Sequence, residues 1–256
     1  MKVYEPTGRA REYSPLALNY LTGCTHGCKY CYVPAMNSRF NSSYCHKEFV
    51  SNVNYTEIEK SIMKLSNKNK QILLSFTTDP YQEKESGETR EVIKLLTKYN
   101  CHFSILTKNP EKFNRDIDLV SGYPYFKIGS TLTFLNDNDS LEWEPGAPTS
   151  YKRLFALKNI AKQNIKTWIS FEPVIKPDDS LQFLRLASSF VDHVKIGKIN
   201  NYQGLDKNID WYSFLKEAVN ICKTKNIKFY IKKDLAEFKK DIFLSSENID
   251  MDYLNV

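Results

Sequence analysis

A chain of 256 residues, 41% hydrophobic and 26% charged, has enough apolar material to bury a substantial core and does not have the composition of a disordered protein. Its charge of +6 fits weak attraction to nucleic acid or other anions, but the lysines are dispersed and read mostly as solvated helix faces. No apolar run reaches the ~18 residues a membrane span needs, and Met1-Lys2-Val3-Tyr4-Glu5 lacks the architecture of a signal peptide, so a cytoplasmic location is expected.

Short apolar runs alternate with segments of helical period, the pattern of βα units around a parallel sheet. The first predicted strand, residues 16–21, runs into Gly23-Cys24-Thr25-His26-Gly27-Cys28-Lys29-Tyr30-Cys31-Tyr32. Thr56-Glu57-Ile58-Glu59 has the spacing of a capping box and predicts a helix start. Strands follow at 72–76, 103–106 and 126–131, with Cys101 expected to begin a buried strand. Residues 136–148 read as the nearest thing to a long loop. Further strands are predicted at 167–171, 194–196 and 228–231. Between the last two, Trp211, Leu215, Ala218 and Cys222 recur at helical spacing and place Cys222 in the core.

The sum is an α/β fold, a partial (open) TIM-like barrel of about six to seven βα units. One domain is expected over 1–256, with a barrel core of about 15–235, a cluster loop at 24–31 and a C-terminal extension at 236–256. Sheets of this kind carry their chemistry at the carboxyl ends of the strands.

Of six cysteines, three form a C-x3-C-x2-C spacing in the first βα loop, Cys24, Cys28 and Cys31. Three thiolates this close can wrap one iron–sulfur cube, glycines letting the loop curl, and three ligands leave one iron open. The alternative is a structural zinc site, which normally takes four ligands, often in two pairs. Cys45 or His46 is a candidate fourth ligand, but no second C-x2-C or H-x3-H pair exists. His26 reads as a loop residue.

Polar residues stand at the later strand ends. The second strand ends in Ser75-Phe76-Thr77-Thr78-Asp79-Pro80-Tyr81-Gln82, the third in Leu106-Thr107-Lys108-Asn109-Pro110, and the fourth carries Gly129-Ser130-Thr131. The fifth ends in Phe171-Glu172-Pro173 and the sixth in Lys195-Ile196-Gly197-Lys198-Ile199-Asn200-Asn201. Each can simply cap a helix or satisfy a turn; their convergence on one face marks a candidate site.

The cysteine spacing, with Tyr30 before the third cysteine, resembles the signature of the radical S-adenosylmethionine superfamily. Glu144-Pro145-Gly146-Ala147-Pro148 with Tyr151-Lys152-Arg153-Leu154, Lys108, and Thr78-Asp79-Pro80-Tyr81-Gln82 with Thr89-Arg90 resemble the group that contains spore photoproduct lyase. The resemblance implies a [4Fe–4S] cluster on Cys24, Cys28 and Cys31, with S-adenosylmethionine chelated to the open iron and cleaved to a 5′-deoxyadenosyl radical. It implies cofactor contacts from Tyr30, Thr77, Thr78, Lys108 and Ser130, and an electron donor such as flavodoxin or ferredoxin. Spore photoproduct lyase keeps a radical-quenching cysteine near the end of its second strand, whereas residues 75–79 contain none, which puts the same thiol route in doubt.

The group also includes queuine lyases of queuosine salvage, which release 7-aminomethyl-7-deazaguanine and match this length better. A free modified nucleobase is therefore the expected substrate, with Glu172 and Asp79 as candidate catalytic carboxylates. Tyr81, Trp143, Glu144, Lys198 and Asn200 are the candidate substrate contacts, since a base bearing an amine calls for carboxylates and aromatic faces. The alternatives are a DNA or RNA repair lyase and a zinc-stabilised nucleic-acid-binding module.

Overall fold

The computed structural model describes residues 1–39, 50–200, 202 and 204–256, so Cys45, His46 and Asn201 lie outside the described residues. Its strands are β1 (Leu16–Ala17), β2 (Ile72–Leu74), β3 (Phe103–Leu106), β4 (Phe126–Thr131), β5 (Lys166–Val174), β6 (His193–Lys198) and β7 (Lys228–Ile231). They form one sheet in sequence order with every neighbouring pair parallel, an open α/β half-barrel. The helices are α1 (Gly8–Arg11), α2 (Val33–Arg39), α3 (Tyr55–Met63), α4 (Glu88–Lys98), α5 (Asp137–Trp143), α6 (Ser150–Ala161), α7 (Pro177–Ala187), α8 (Trp211–Thr224) and α9 (Lys233–Ala236).

The central strands are covered on both faces, and every residue of β4 is buried, Lys127, Ser130 and Thr131 included. Ile58 and Ile62 of α3 and Val92, Ile93 and Leu96 of α4 pack onto the first half of the sheet. Phe183 and Leu184 of α7 join Leu215, Ala218 and Cys222 of α8 on the second half, so Cys222 is core. Among the described residues no helix is long and apolar enough to cross a membrane.

Five local expectations shift. β1 stops at Ala17, because the Asn19 side chain, not its backbone, accepts from the Phe76 amide at 2.9 Å. β2 likewise stops at Leu74 instead of reaching 76. The start of α3 is capped by Asn54, whose side chain accepts from the Glu57 amide at 2.9 Å, so Thr56 lies inside the helix. Residues 136–148 contain α5, begun by Asn136 accepting from the Asn138 amide and favoured by Asp137 and Asp139 in its first turn. Cys101 is buried but precedes β3, its amide bonded to Leu96 at the end of α4.

The two chain ends complete the barrel. Glu12 crosses to the last strand, accepting from the Tyr230 hydroxyl at 2.6 Å and the Lys233 amide at 2.8 Å. The C-terminal segment runs beneath the amino ends of the strands, where the Leu254 carbonyl accepts from buried Lys127 and Gln71 accepts from the Val256 amide at 3.1 Å.

Gly129 in β4 pairs with Trp168 in β5, and a Cβ there would lie 2.4 Å from the indole ring. Gly129→Ala should therefore cost about 1–3 kcal/mol of stability through overpacking. Urea unfolding checks this, and an unchanged midpoint would mean that the ring moves aside freely.

Candidate active site at the mouth of the half-barrel

At the carboxyl ends of the strands lies a cavity of about 440 Å³. One wall comes from the loop after β1 and from the ends of β2, β3 and β4. The other comes from α1 and the residues just after it, and from the ends of β5, β6 and β7.

Cys24, Cys28 and Cys31 all line the first wall. Gly27, at φ +61°, allows the left-handed bend between the first two, a conformation a side chain would strain. Burial above all, reinforced by Asp79, pushes the Cys24 thiol up to about 12; burial likewise takes Cys28 to about 11 and raises Cys31. Among the described residues no three His, Cys, Asp or Glu side chains meet where a single ion could sit. A cuboidal cluster asks for less convergence, since each thiolate binds a different iron, and it draws the protons from thiols that would otherwise stay neutral. The donor set fits such a group.

The loop is held by two clamps. On one side, Thr78 donates to the Gly23 carbonyl at 2.5 Å, while Gln82 donates to the same carbonyl and accepts from the Thr25 amide at 3.0 Å. Asp79 fastens this clamp to β3: its oxygens accept from the Tyr81 amide, the Thr107 hydroxyl and the Lys108 amide at 2.6–2.8 Å. Buried His26 stands 3.4 Å from the same carboxylate, and burial lowers its pKa despite that neighbour.

On the other side, the Gly146 amide donates to the His26 carbonyl and the Lys29 amide to the Trp143 carbonyl, both at 2.9 Å. A Cβ on Gly146 would sit 2.2 Å from the Thr25 carbonyl oxygen, so backbone lies directly on backbone. Behind this contact Glu144 is fully buried, taking Arg153 at 2.5 Å on one oxygen and the Tyr30 hydroxyl and Thr133 on the other. Burial alone would raise the Glu144 carboxyl, but Arg153 and then Lys108 outweigh it and hold it below its ordinary value.

Of the other residues singled out from sequence, Tyr30, Thr77, Lys108, Glu172, Lys198 and Asn200 also border the cavity. Lys108 lies 5.5 Å over the Tyr30 ring and 4.0 Å from Glu144. Ser130 is buried behind it, donating to the Thr107 carbonyl at 2.6 Å. Three others are not brought to the cavity. Tyr81 is buried against Phe113 with its hydroxyl on Asp116, Trp143 packs on Phe134 and Tyr202, and Glu144 sits beneath the cluster loop.

The structure adds Arg9, Tyr13 and Lys232 to the second wall. Lys232 directly follows β7, so the strand-end rule extended to the seventh strand points to it. Tyr13 and Arg9 precede the first strand, and no periodicity or motif flags them.

A family model described as Protein of unknown function (DUF5131) matches residues 10–247. The chain is 26% identical over 230 residues to the uncharacterized protein MJ0683 of Methanocaldococcus jannaschii, covering 82% of this chain and 86% of that one. It is 26% identical over 226 residues to the uncharacterized protein ORF301 of Acidianus two-tailed virus, covering 81% and 74%. In structure it is similar to spore photoproduct lyase complexed with dinucleoside spore photoproduct, with a TM-score of 0.61, 15% identity, and coverage of 79% of this chain and 62% of that one. SuiB of Streptococcus suis bound to S-adenosylmethionine gives a TM-score of 0.65 and 11% identity over 90% of this chain and 53% of that one. The chain thus spans less than two thirds of either solved chain, and the likeness is one of fold. The chain belongs to the DUF5131 family.

The Glu144 clamp yields a direct expectation. Glu144→Gln leaves Arg153 buried without its counter-charge, so the metal-free protein should lose about 3 kcal/mol of stability in denaturant. The same variant should take up less iron on reconstitution, because Tyr30 and the loop lose their anchor. Unchanged stability and iron content would show that Arg153 finds another partner and that the loop holds itself.

Proposed function

We propose that the chain is a radical S-adenosylmethionine enzyme acting on a small, nucleobase-like substrate. The observation that carries this reading is three cysteines of one βα loop lining a shared cavity with Lys108 at the carboxyl ends of a parallel half-barrel. The fold of SuiB, solved with S-adenosylmethionine, supports it. Cys24, Cys28 and Cys31 would hold a [4Fe–4S] cluster. When both are bound, cluster and S-adenosylmethionine supply a 5′-deoxyadenosyl radical able to abstract a substrate hydrogen.

The chain's own groups bind, orient and exclude water. Burial opposes the Lys108 ammonium, but a deprotonated Cys28 and then Glu144 outweigh that cost and raise it above its ordinary value. It presents its ammonium in the cavity, suited to the methionine carboxylate of the cofactor. Ser130 fixes the carbonyl of Thr107 and hence the turn from which Lys108 projects. Asp79 has its oxygens committed to three donors and serves to hold the β2 and β3 ends together. Glu172 lines the wall across from the thiols, which supports assigning it to the substrate.

For the substrate we favour a free modified base, with queuine as the first compound to test. Among the described residues, each of the four Lys and Arg side chains on the cavity has a carboxylate within 4.0 Å: Arg9 with Asp234, Lys108 with Glu144, Lys198 with Asp206 and Lys232 with Glu172. Cations balanced in this way suit a small ligand without phosphates better than a run of phosphates. The second reading, a DNA or RNA repair lyase, is favoured by the likeness to the lyase complexed with a dinucleoside lesion. Against its thiol route, no described cysteine lines the cavity beyond the three of the loop; Cys101 and Cys222 are in the core.

Anaerobically reconstituted protein should hold about four irons per chain and release 5′-deoxyadenosine from S-adenosylmethionine under reduction. Cys28→Ala should abolish both, and deoxyadenosine formed at the parent rate would remove the radical reading. Mass spectrometry of the same mixture with queuine should show 7-aminomethyl-7-deazaguanine. No conversion, together with DNA or RNA binding that falls steeply with salt, would transfer the substrate to the repair reading.

Lys108→Ala should retain its iron yet bind S-adenosylmethionine more weakly by about 1.5–3 kcal/mol, the range for losing a hydrogen bond to a charged group. Calorimetry decides, and equal affinity would mean that the ammonium does not touch the cofactor.

A further inference from the structure

Glu172 leaves the carboxyl end of β5 and enters the cavity with its side chain 18% exposed. The Tyr13 hydroxyl donates to its Oε2, and Lys232 Nζ donates to the same atom from 2.5 Å. A carboxylate offers about four lone-pair sites, two on each oxygen. Two donors therefore satisfy Oε2, and among the described residues no donor bonds Oε1 of this cavity-lining side chain. The two donors are themselves packed. Tyr13 packs edge-on against Phe76 at 6.1 Å, and Lys232 is 1% exposed and lies 4.4 Å over the Tyr13 ring. Gly197 permits the packing, since a Cβ there would come within 2.7 Å of the Lys232 side chain and 3.2 Å of the Glu172 carboxyl carbon.

Lys232 also stands 3.8 Å from Glu12, and Lys195, whose ammonium burial pushes down to about 7, donates to the backbone carbonyls of Glu12 and Tyr13 at 3.0 Å. Lys232 is thus shared between two carboxylates and spends part of its charge on Glu12. What remains is a directed acceptor. Apolar surface from Phe76, Pro173 and Ile199 borders the same space and suits a flat ring.

We propose that Glu172, held by Tyr13 and Lys232, is the substrate-reading group of the cavity, and that its Oε1 accepts a neutral N–H from a planar heterocycle such as a guanine-like base. This rests on reading the substrate as a nucleobase and specifies what is recognised. Tyr13 and Lys232 are positioning residues: they spend one oxygen so that the other points at the ligand. An acceptor of this kind discriminates strongly, because a ring lacking the donor leaves a desolvated carboxylate oxygen unpaired.

The test is equilibrium binding to cluster-loaded, unreduced protein with three probes. These are 9-methylguanine, which has N–H donors on its pairing edge, 9-methylpurine, which has none, and benzylamine, an aromatic ammonium. The parent should prefer 9-methylguanine to 9-methylpurine by roughly tenfold or more, the fold-change for a hydrogen bond to a charged group. Glu172→Ala should bring that ratio close to one. Tyr13→Phe, which keeps the ring and its packing, should lower the ratio without removing it.

A ratio untouched in both variants would overturn the proposal. So would loss confined to benzylamine, which would make Glu172 an ammonium site. Absence of binding by any probe to the parent would overturn it as well, even where 5′-deoxyadenosine is formed, so this proposal can fail while the radical reading stands.

Discussion

The ion pair between Glu144 and Arg153 is the contact on which the cavity's cysteine wall depends. Both side chains are fully buried, and their mutual attraction has to offset the cost of taking two charges out of water. The pair does so by serving several neighbours at once. Glu144 receives the Tyr30 hydroxyl, Arg153 donates to the carbonyls of Thr131 and Pro148, and the chain between them lies on the cluster loop through Gly146. A loop with three sulfurs and two glycines has little apolar material of its own to fix its shape. The fold supplies the shape from outside.

The same economy governs the other carboxylates near the cavity. Asp79 joins the ends of two strands to the backbone around the thiols, and Glu172 has one oxygen engaged by Tyr13 and Lys232. Each of these acids is thereby hydrogen-bonded or ion-paired by named partners, as withdrawal of charge from water demands. What differs is how many acceptor positions remain once the structural duties are met, and that remainder separates an acid that builds the wall from one that faces a ligand.

Much of this was legible in the residues. Seven largely apolar runs separated by helical periods point to the parallel sheet, because strands covered on both faces are buried along their whole length, as β4 is. The tight cysteine spacing and the polar strand ends led to one cavity because a parallel sheet gathers all its carboxyl ends on one side. The roles of Tyr81, Trp143 and Glu144 were not legible. An aromatic or acidic residue in a loop reads the same whether it faces solvent, a ligand or a buried arginine, and Arg153 lies nine positions away on a helix whose pattern does not announce it. Tyr13 was invisible for a different reason: its place at the cavity comes from a half-barrel being open between its first and last strands.

That gap gives the cavity two walls of separate origin. The wall that carries the thiols is built between β1 and β4, whereas the facing wall is assembled from residues 9–13 and the ends of β5, β6 and β7. A closed barrel would have needed an eighth strand where the leading segment now lies. Tyr4 of that segment pairs backbone to backbone with Ala17 of β1, whereas residues 9–13 reach the facing wall and are tied across it through Glu12 and Tyr13. Descendants of such a scaffold can therefore acquire new ligand preferences by rewriting Arg9 and its neighbours on the facing wall while inheriting the thiol-bearing half intact.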